Sequence, residues 1–452
     1  MANVEIDGVN SIVYTDKLDP KTGTALEIGT SGDTVTVPTG AGLTVTDEVK
    51  TNKISPATGT AFALGDSGDT FTVPSGATIV NSGTATGFGI TSSSFLPTAA
   101  PLIINGDMAV AQRSTSATGK TTSGYYATDR NKMTIGSIGT YTIAQESLTS
   151  GAAYNAGFSN AFRIDCTTAD ASPAASDEIS FDYQMEGQDL QLFKKGTANA
   201  EKYTLAFWVK SNQTGVGQVN LQDRDNFRMC SATYTISSAD TWEHKVLNYA
   251  ADTTGVLDND NGQSFRIDFW LDSGSNYKSG TAPTAWEAAA TGDKNASGTL
   301  SIADSTSNDW AITGIQLEVG EFSSSDLPPF RHERYGENLF RCQRYYRTWG
   351  GGHLFEQFSV GYNSATDTAS TLLDYSVPVM RGDPSQSVSA NSDWKIFSVS
   401  SSYTATNVSY GDITPRNRKL LTTVSGSMTV GNGCMLQAND TTSARFNLDA
   451  EI

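Results

Sequence analysis

Alternating apolar and polar positions mark seven short strands between Pro101 and about Phe330. Because successive side chains of a strand point to opposite faces, each run offers one apolar face to a core. Turns rich in Gly, Ser and Asp separate the runs, a spacing typical of an all-β sandwich. The sequence therefore predicts a jelly-roll β-sandwich over residues 101–330, built on AFRIDC (161–166), EISFDYQ (178–184), YTLAFWVK (203–210), GQVNLQD (217–223), TWEHKVLNY (241–249), SFRIDFWLD (264–272) and DWAITGIQLEV (309–319).

A different period follows this region. Between Arg331 and Trp349 the apolar positions recur at alternating spacings of four and three residues, as on one face of a helix. We predict a short helix over residues 331–349, which either docks against a partner subunit or covers an edge of its own sandwich. Residues 350–452 return to short strands with Ser-, Thr- and Asn-rich turns and predict a small C-terminal β domain.

The first hundred residues contain an internal repeat with an offset of 36 residues. TDKLDPKTGTALEIGTSGDTVTVPTGA, from Thr15, realigns on TNKISPATGTAFALGDSGDTFTVPSGA, from Thr51. Each copy holds a short alternating run before a Pro-x-Gly turn, which predicts short β repeats within residues 1–81. Units this small cannot bury a core alone, so we expect the same strands of several chains to associate around an axis; a flexible Gly/Thr segment is the alternative. Residues 82–100 predict a linker.

Composition excludes several classes of protein. The 452 residues carry 30 Lys and Arg against 48 Asp and Glu, a formal charge of −18, which disfavours nucleic acid and anionic membranes as partners. The four cysteines are far apart, and only three histidines occur, so we expect no metal and no cofactor. The run Asp258–Gly262 resembles the start of a calcium loop, but it lacks the later glutamate and predicts a tight turn. Neither a secretory signal nor a membrane-spanning stretch is predicted.

The outward faces of three strands carry a second pattern. In YTLAFWVK, Phe207 and its apolar neighbours share one face while Trp208 lies on the other, and strands 217–223 and 264–272 divide in the same way. The second faces combine Trp with amides, a carboxylate and an arginine, groups that stack on sugar rings and bond their hydroxyls. We predict a sugar-facing sheet; the alternative is that a loop or a neighbouring subunit covers the tryptophans. Its candidate glycan-binding residues are Trp208, Asn220, Gln222, Arg266, Asp268 and Trp270.

No catalytic residue is predicted, so we expect the protein not to be an enzyme. Asp268 and Asp272 share a strand face, but four residues at about 3.3 Å each place them roughly 13 Å apart. The carboxylate pairs of glycosidases lie roughly 5–9.5 Å apart. GxSxG, P-loop and helix-opening GxGxxG motifs are absent from the sequence. A site spread over strands or between subunits would leave no local motif, so a glycan-cleaving spike stays an alternative.

Several motifs between residues 101 and 350 occur in an order that resembles a known family. They are INGDMAVAQR (104–113), YATDR (126–130), QMEG (184–187), FWVKS (207–211), TGIQLEVG (313–320), YGE (335–337) and CQRYY (342–346). Together they resemble a domain recurrent in bacteriophage tail-fibre and appendage proteins. The N-terminal repeats are similar to segments of appendage proteins from phages that infect marine bacteria.

The resemblance implies a structural virion fibre protein of a bacteriophage, in which a jelly roll similar to carbohydrate-binding domains attaches the particle to a host-surface glycan. It also implies an elongated homotrimer located in the virion and assembled in the host cytoplasm. Residues 1–81 would then bind other virion proteins of the tail or capsid. Two further functions stay open: a head fibre or capsid decoration protein without an essential ligand, and a glycan-cleaving tail spike.

Overall fold

The structure is a computed structural model that describes residues 101–452. The predicted β repeats (1–81) and linker (82–100) lie outside the described residues. From Pro101 onward the chain is all-β with two short helices, and it forms a sandwich followed by a smaller C-terminal β domain. The predicted all-β class, with a sandwich and a small C-terminal β domain, is confirmed for this part of the chain, and the homotrimer stays a prediction.

Eleven strands and a one-turn α-helix precede the second α-helix. They are β1 (Ser116–Tyr125), β2 (Asn131–Ser147), α1 (Ala152–Asn155), β3 (Asn160–Thr168), β4 (Glu178–Glu186), β5 (Tyr203–Ser211), β6 (Gly215–Asp223), β7 (Arg228–Ile236), β8 (Glu243–Tyr249), β9 (Gln263–Ser273), β10 (Glu287–Ala288) and β11 (Asp309–Val319). All seven predicted strands are present. Sequence alternation missed β1, β2, β7 and the two-residue β10.

The strands form one continuous antiparallel path that folds into two layers. Its order is β10-β7-β6-β9-β4-β2-β3-β11-β5-β8, with β1 paired to β2. The first part of β2 pairs with β4 and the second part with β3, so this 17-residue strand belongs to both layers. It bends where Gly139 has a φ of 64°, and a Cβ there would lie 2.8 Å from the Thr168 carbonyl oxygen. Glycine thus permits the crossing between layers.

The inward faces of the two layers meet in an aromatic core. The Phe207 and Phe269 ring centroids are 4.9 Å apart, and those of Phe162 and Phe181 are also 4.9 Å apart. Both pairs join residues of opposite layers. The apolar faces predicted for β5, β6 and β9 all enter this core. Burying them stabilises the sandwich by about 25 cal/mol for each Å² of apolar surface removed from water.

The helix predicted over residues 331–349 is shorter in the structure. Helix α2 spans Tyr335–Cys342, and the chain turns before strand β12 (Tyr346–Gly350). Tyr346 and Trp349 therefore lie on a strand, although their spacing continues the helical period. The prediction failed there because Arg344 leaves the helix to form an ion pair with Glu186 of β4 at 2.6 Å, and β12 finds a strand partner far along the chain.

The C-terminal β domain contains a closed barrel beside a three-stranded sheet. The sheet has the order β12-β20-β15, and the barrel the order β13-β14-β18-β17-β16-β19. Its remaining strands are β13 (Gln357–Asn363), β14 (Thr368–Asp374), β15 (Ser385–Val388), β16 (Trp394–Ser398), β17 (Ser401–Ile413), β18 (Asn417–Val424), β19 (Gly433–Ala438) and β20 (Arg445–Asp449).

Two clusters of ionic contacts stabilise the arrangement. Glu451, just after β20, pairs with Arg113 at 3.3 Å and with the buried Arg130, both from the start of the sandwich. Elsewhere the buried Lys195 ammonium donates to Asp223, to Asp252 at 2.7 Å and to the Gly255 carbonyl at 3.1 Å. Burial alone would raise the pKa of Asp252, but hydrogen bonds from Arg228 and Lys195 outweigh it and lower that pKa to about 2.

Candidate functional site

The predicted sugar-facing residues divide between two opposite surfaces. Phe207 and Phe269 meet inside the sandwich, so their chain neighbours Trp208 and Trp270 point outward from different layers. The face assignment of each strand was right, but the prediction of one shared surface was wrong. Alternation determines which side of a strand is polar, whereas the layer to which the strand belongs depends on pairing with distant segments.

On the β6–β9 face, four predicted residues form the Asp268 network, defined by Asn220, Gln222, Asp268 and Trp270. The Asp268 carboxylate accepts hydrogen bonds from the Trp270 indole N–H at 2.7 Å, from Gln222 at 3.0 Å and from Asn220 at 3.2 Å. All four residues are buried. Burial raises the pKa of Asp268, and Arg266 opposes this effect. The network thus holds its carboxylate by hydrogen bonds within the fold.

A cover segment, residues 274–298, lies over this network. The Tyr277 ring stacks on Trp270 with 5.0 Å between centroids, and Asn220 donates to the Lys294 carbonyl at 2.8 Å. Trp270 is consequently 1 % exposed. The covered arrangement matches the alternative weighed for the tryptophans, namely a loop above them. A glycan can contact Trp270 only if the cover segment is displaced, and glycan binding by this set stays a prediction.

Arg266 lies at the edge of the covered face and joins two carboxylates. Its guanidinium contacts Asp182 at 3.2 Å and Asp268 at 3.6 Å, and these two aspartates are directly opposite on β4 and β9. Sequence reasoning missed Asp182 because the pair spans two strands. Asp182 also accepts hydrogen bonds from Ser180, at 2.8 Å, and from Thr134. Both carboxylates are buried and engaged in structural contacts.

Trp208 lies in an open aromatic cleft on the opposite layer. Its ring stacks on His244, its register partner on β8, with 5.0 Å between centroids and 36° between planes. Phe158 and Phe330 form the facing wall, with their centroids 4.8 Å apart. The cleft has a volume of about 220 Å³, and Gln316 and Ser324 supply polar groups to its lining. Partly buried Trp208 is therefore a predicted site residue that a ligand can reach through an open cleft.

The backbone of β11 and the following loop shape this cleft. Gly314, at a bulge with φ 63°, would place a Cβ 2.6 Å from the Phe158 ring, so glycine allows that ring to pack closely. The Gln316 side chain donates to the Pro328 carbonyl at 3.0 Å and fixes the loop that carries Phe330. Phe158 and Phe330 were missed from the sequence because each lies outside the alternating strands. The run Pro328-Pro329-Phe330 was the available signal of a rigid aromatic loop.

A second cleft of about 400 Å³ adjoins the first along β8. His244 and Ser324 line both, and Lys245, Asn248 and Phe322 contribute to the second. Together they are called the β8 groove. Desolvation lowers the pKa of His244 below its ordinary value, so the imidazole is neutral at pH 7 and offers one donor and one acceptor. No Asp or Glu lines the groove in the part of the chain that the structure describes.

Among residues 101–452, no group of three or more His, Cys, Asp or Glu side chains is placed to hold a metal ion. Within Asp258–Gly262, the Asp260 carboxylate accepts from the Gly262 amide at 2.8 Å, as in a tight turn. No helix in the same range is long and apolar enough to span a membrane.

Comparisons with known proteins identify no family model and no curated protein that match. Among solved structures, the enzymatically active domain of tailspike protein 4 from bacteriophage CBA120 is 12 % identical with a TM-score of 0.25. That match covers 48 % of this chain and 21 % of the tailspike chain, so this chain spans about a fifth of it.

Carbohydrate-binding modules also occur among the similar structures. A family 11 module from Clostridium thermocellum, in complex with a β-1,3-1,4-mixed-linked tetrasaccharide, is 11 % identical over 48 % of this chain and 99 % of its own, with a TM-score of 0.22. A family 61 module in complex with β-1,4-galactotriose is 8 % identical over 49 % of this chain and 99 % of its own, with a TM-score of 0.23. The structural neighbours thus include a phage tailspike domain and carbohydrate-binding modules.

Proposed function

We propose that the protein is a structural fibre protein of a bacteriophage virion that attaches the particle to its host by binding a surface glycan in the β8 groove. The observation that carries the proposal is the open Trp208–His244 stack beside Phe158 and Phe330. The ordered motifs between residues 101 and 350 support the assignment to phage appendages. In this proposal residues 1–81 attach the chain to other virion proteins, and the fibre is a homotrimer.

The chemistry of the groove suits a neutral saccharide. Aromatic faces bind the C–H surface of a sugar ring and exclude water from it, while His244 and Ser324 provide donors and acceptors for hydroxyl groups. Two adjoining clefts give room for more than one sugar unit along β8. Repetition of the groove in each subunit of a homotrimer would strengthen attachment to a cell surface through multivalency.

We further propose that the groove binds its glycan without cleaving it. Glycoside hydrolysis uses two carboxyl groups flanking the scissile bond. The described lining of the β8 groove has no carboxylate, and the closely opposed Asp182 and Asp268 are buried on the other layer. Their oxygens accept hydrogen bonds from neighbouring side chains, which supports a structural role.

Binding of the full-length protein to a glycan array, followed by titration of the best ligand, tests the proposal. Trp208→Ala should weaken binding about tenfold, because a stacked aromatic contributes roughly 1–2 kcal/mol. Phe227→Ala, which removes an exposed ring from the β6–β7 turn, is the matched control and should bind as the natural protein does. Unchanged affinity in Trp208→Ala would refute the site.

Two further results separate the other functions. If the natural protein binds no array glycan and no host cell, the head-fibre or decoration function is favoured instead. Release of reducing sugar from host polysaccharide would identify a glycan-cleaving spike and contradict the proposed binding role. Localisation of the chain on intact particles by electron microscopy distinguishes tail from capsid.

A further inference from the structure

Two buried guanidinium groups lie where the C-terminal barrel meets the three-stranded sheet. Arg347 of β12 and Arg418 of β18 are each 6 % exposed. No carboxylate oxygen within residues 101–452 lies within 4.0 Å of either group. By contrast, Arg113, Arg130 and Arg344 each have a carboxylate oxygen within that distance. The two cations are therefore buried without ion-pair partners among the residues that the structure describes.

Aromatic rings lie between the two guanidinium groups. The Arg418 guanidinium carbon lies 4.7 Å from the Tyr410 ring centroid, and that of Arg347 lies 6.0 Å from Trp349. Phe446 connects these rings, since its centroid is 6.1 Å from both. Tyr375 lies 6.4 Å from Trp349, and its hydroxyl donates to the Thr414 carbonyl at 2.7 Å. Trp349, Phe446 and Tyr410 thus form a chain of rings with Arg347 at one end and Arg418 at the other.

The hydrogen bonds of the two arginines differ. Arg347 donates from Nε to the Gln343 carbonyl at 3.0 Å and from Nη2 to the Pro378 carbonyl. Arg418 has no partner for Nε or for Nη1 in the described part of the chain, although both nitrogens are buried. A buried polar group without a hydrogen bond is strongly unfavourable, and a buried charge without a counterion more so. Arg418 thus presents donors that the fold itself leaves unused.

No carboxylate of residues 101–452 neutralises either guanidinium group by direct contact. Asp383 acts on Arg418, and Asp374 on Arg347, only through longer-range attraction, and both aspartates are exposed. Desolvation by burial lowers the pKa of both guanidinium groups, but arginine stays charged at any physiological pH. The whole chain has a formal net charge of −18. Two buried cations without a contacting carboxylate are therefore unusual in this protein.

We propose that Arg418 binds a small oxyanion group at this junction. A sulfate or phosphate ion and the carboxylate of an acidic sugar share the required chemistry: negatively charged oxygens that accept from several guanidinium N–H groups. Exposed Arg416 and Asn417 directly precede buried Arg418 at the start of β18. The site is separate from the β8 groove and does not depend on it.

Calorimetric melting of the full-length protein in sulfate tests the proposal, with chloride at matched ionic strength as reference. Sulfate should raise the melting temperature of the C-terminal domain with the logarithm of its concentration, by roughly 10–20 °C at a hundred times its dissociation constant. Arg418→Leu should lose the response and melt in chloride no lower than the natural protein, because it removes an unpaired buried charge. Arg416→Ala, an exposed neighbouring arginine, should keep the response.

Several outcomes would overturn the site. One is a rise in melting temperature in sulfate no larger than the rise in chloride. Another is an equal rise in Arg418→Leu. A third is strong destabilisation of Arg418→Leu in chloride, because it would show that the Arg418 charge is already compensated. If Arg418→Leu does not fold, Arg418→Lys replaces it and should show a weakened response. Melting in glucuronate and in glucose then distinguishes the source of the oxyanion. If glucuronate stabilises the domain at a lower concentration than sulfate does, and glucose does not stabilise it, the ligand is an acidic sugar. If only sulfate stabilises the domain, the ligand is an inorganic oxyanion.

Discussion

Replacing Trp270 with alanine is expected to destabilise the sandwich, although this residue points away from the apolar core. Its indole is 1 % exposed, stacks on Tyr277 and donates to Asp268 at 2.7 Å. Loss of a buried tryptophan side chain costs about 3–5 kcal/mol. Removing one donor from the buried Asp268 carboxylate adds about 1–3 kcal/mol. Taking about 4 kcal/mol as the lower total, the melting temperature should fall by roughly 8–16 °C.

Differential scanning calorimetry of three variants checks this reasoning. Trp270→Phe keeps a ring against Tyr277 but has no N–H for Asp268, so it should lose less stability than Trp270→Ala. The difference between the two variants separates the effect of stacking from that of the hydrogen bond. Trp208→Ala removes a half-buried ring and should shift the melting temperature by less than half as much. A Trp270→Ala protein that melts within about 2 °C of the natural chain would refute the view that the cover segment and the Asp268 network hold this face together.

Three more predictions follow from local features of the fold. Lys195→Met leaves Asp223 and Asp252 buried without their ammonium and should reduce the free energy of unfolding by about 3–5 kcal/mol in urea titrations; a loss below about 1 kcal/mol would contradict this. Burial raises the pKa of Asp129 to about 6, so the folded state binds its proton more tightly than the unfolded state. Stability should therefore fall as pH rises from about 4 to about 6, by on the order of 3 kcal/mol from this group, and Asp129→Asn should lack that slope. Val399 is 72 % exposed with a φ of 58°, so Val399→Gly should relieve strain and stabilise the barrel by about 1 kcal/mol, measured by thermal melting; destabilisation would show that the valine side chain is held by contacts.

Local alternation predicted seven of the eleven strands of the sandwich, and it assigned the polar side correctly for β5, β6 and β9. It placed Phe207, Phe269 and their apolar neighbours in the core because burial of one face is encoded within a single strand. It did not separate Trp208 from Trp270, because layer membership follows from pairing between segments more than a hundred residues apart. The Asp182–Asp268 pair was missed because β4 and β9, which hold it, also pair across distant parts of the sequence.

Features outside regular strands were predicted least well. The cover segment 274–298 has no sustained alternation, and its contacts with Asn220 and Trp270 come from backbone carbonyls and one tyrosine ring. The helical spacing up to Trp349 was real in the sequence, but strand pairing of β12 with β20 overrode it after Cys342. Within the β8 groove, only Trp208 was predicted as a site residue, since the facing Phe158 and Phe330 lie on loops.

The ion pairs of Glu451 with Arg113 and Arg130 connect segments made far apart in time during translation. Arg113 and Glu451 are 338 positions apart, and β20, which ends just before Glu451, is the central strand of its sheet. The ribosome synthesises the sandwich strands before it synthesises β20 and Glu451. The junction between sandwich and C-terminal domain therefore closes as a late step, and a chain terminated before residue 445 would expose the unpaired edges of β12 and β15 to cellular proteases.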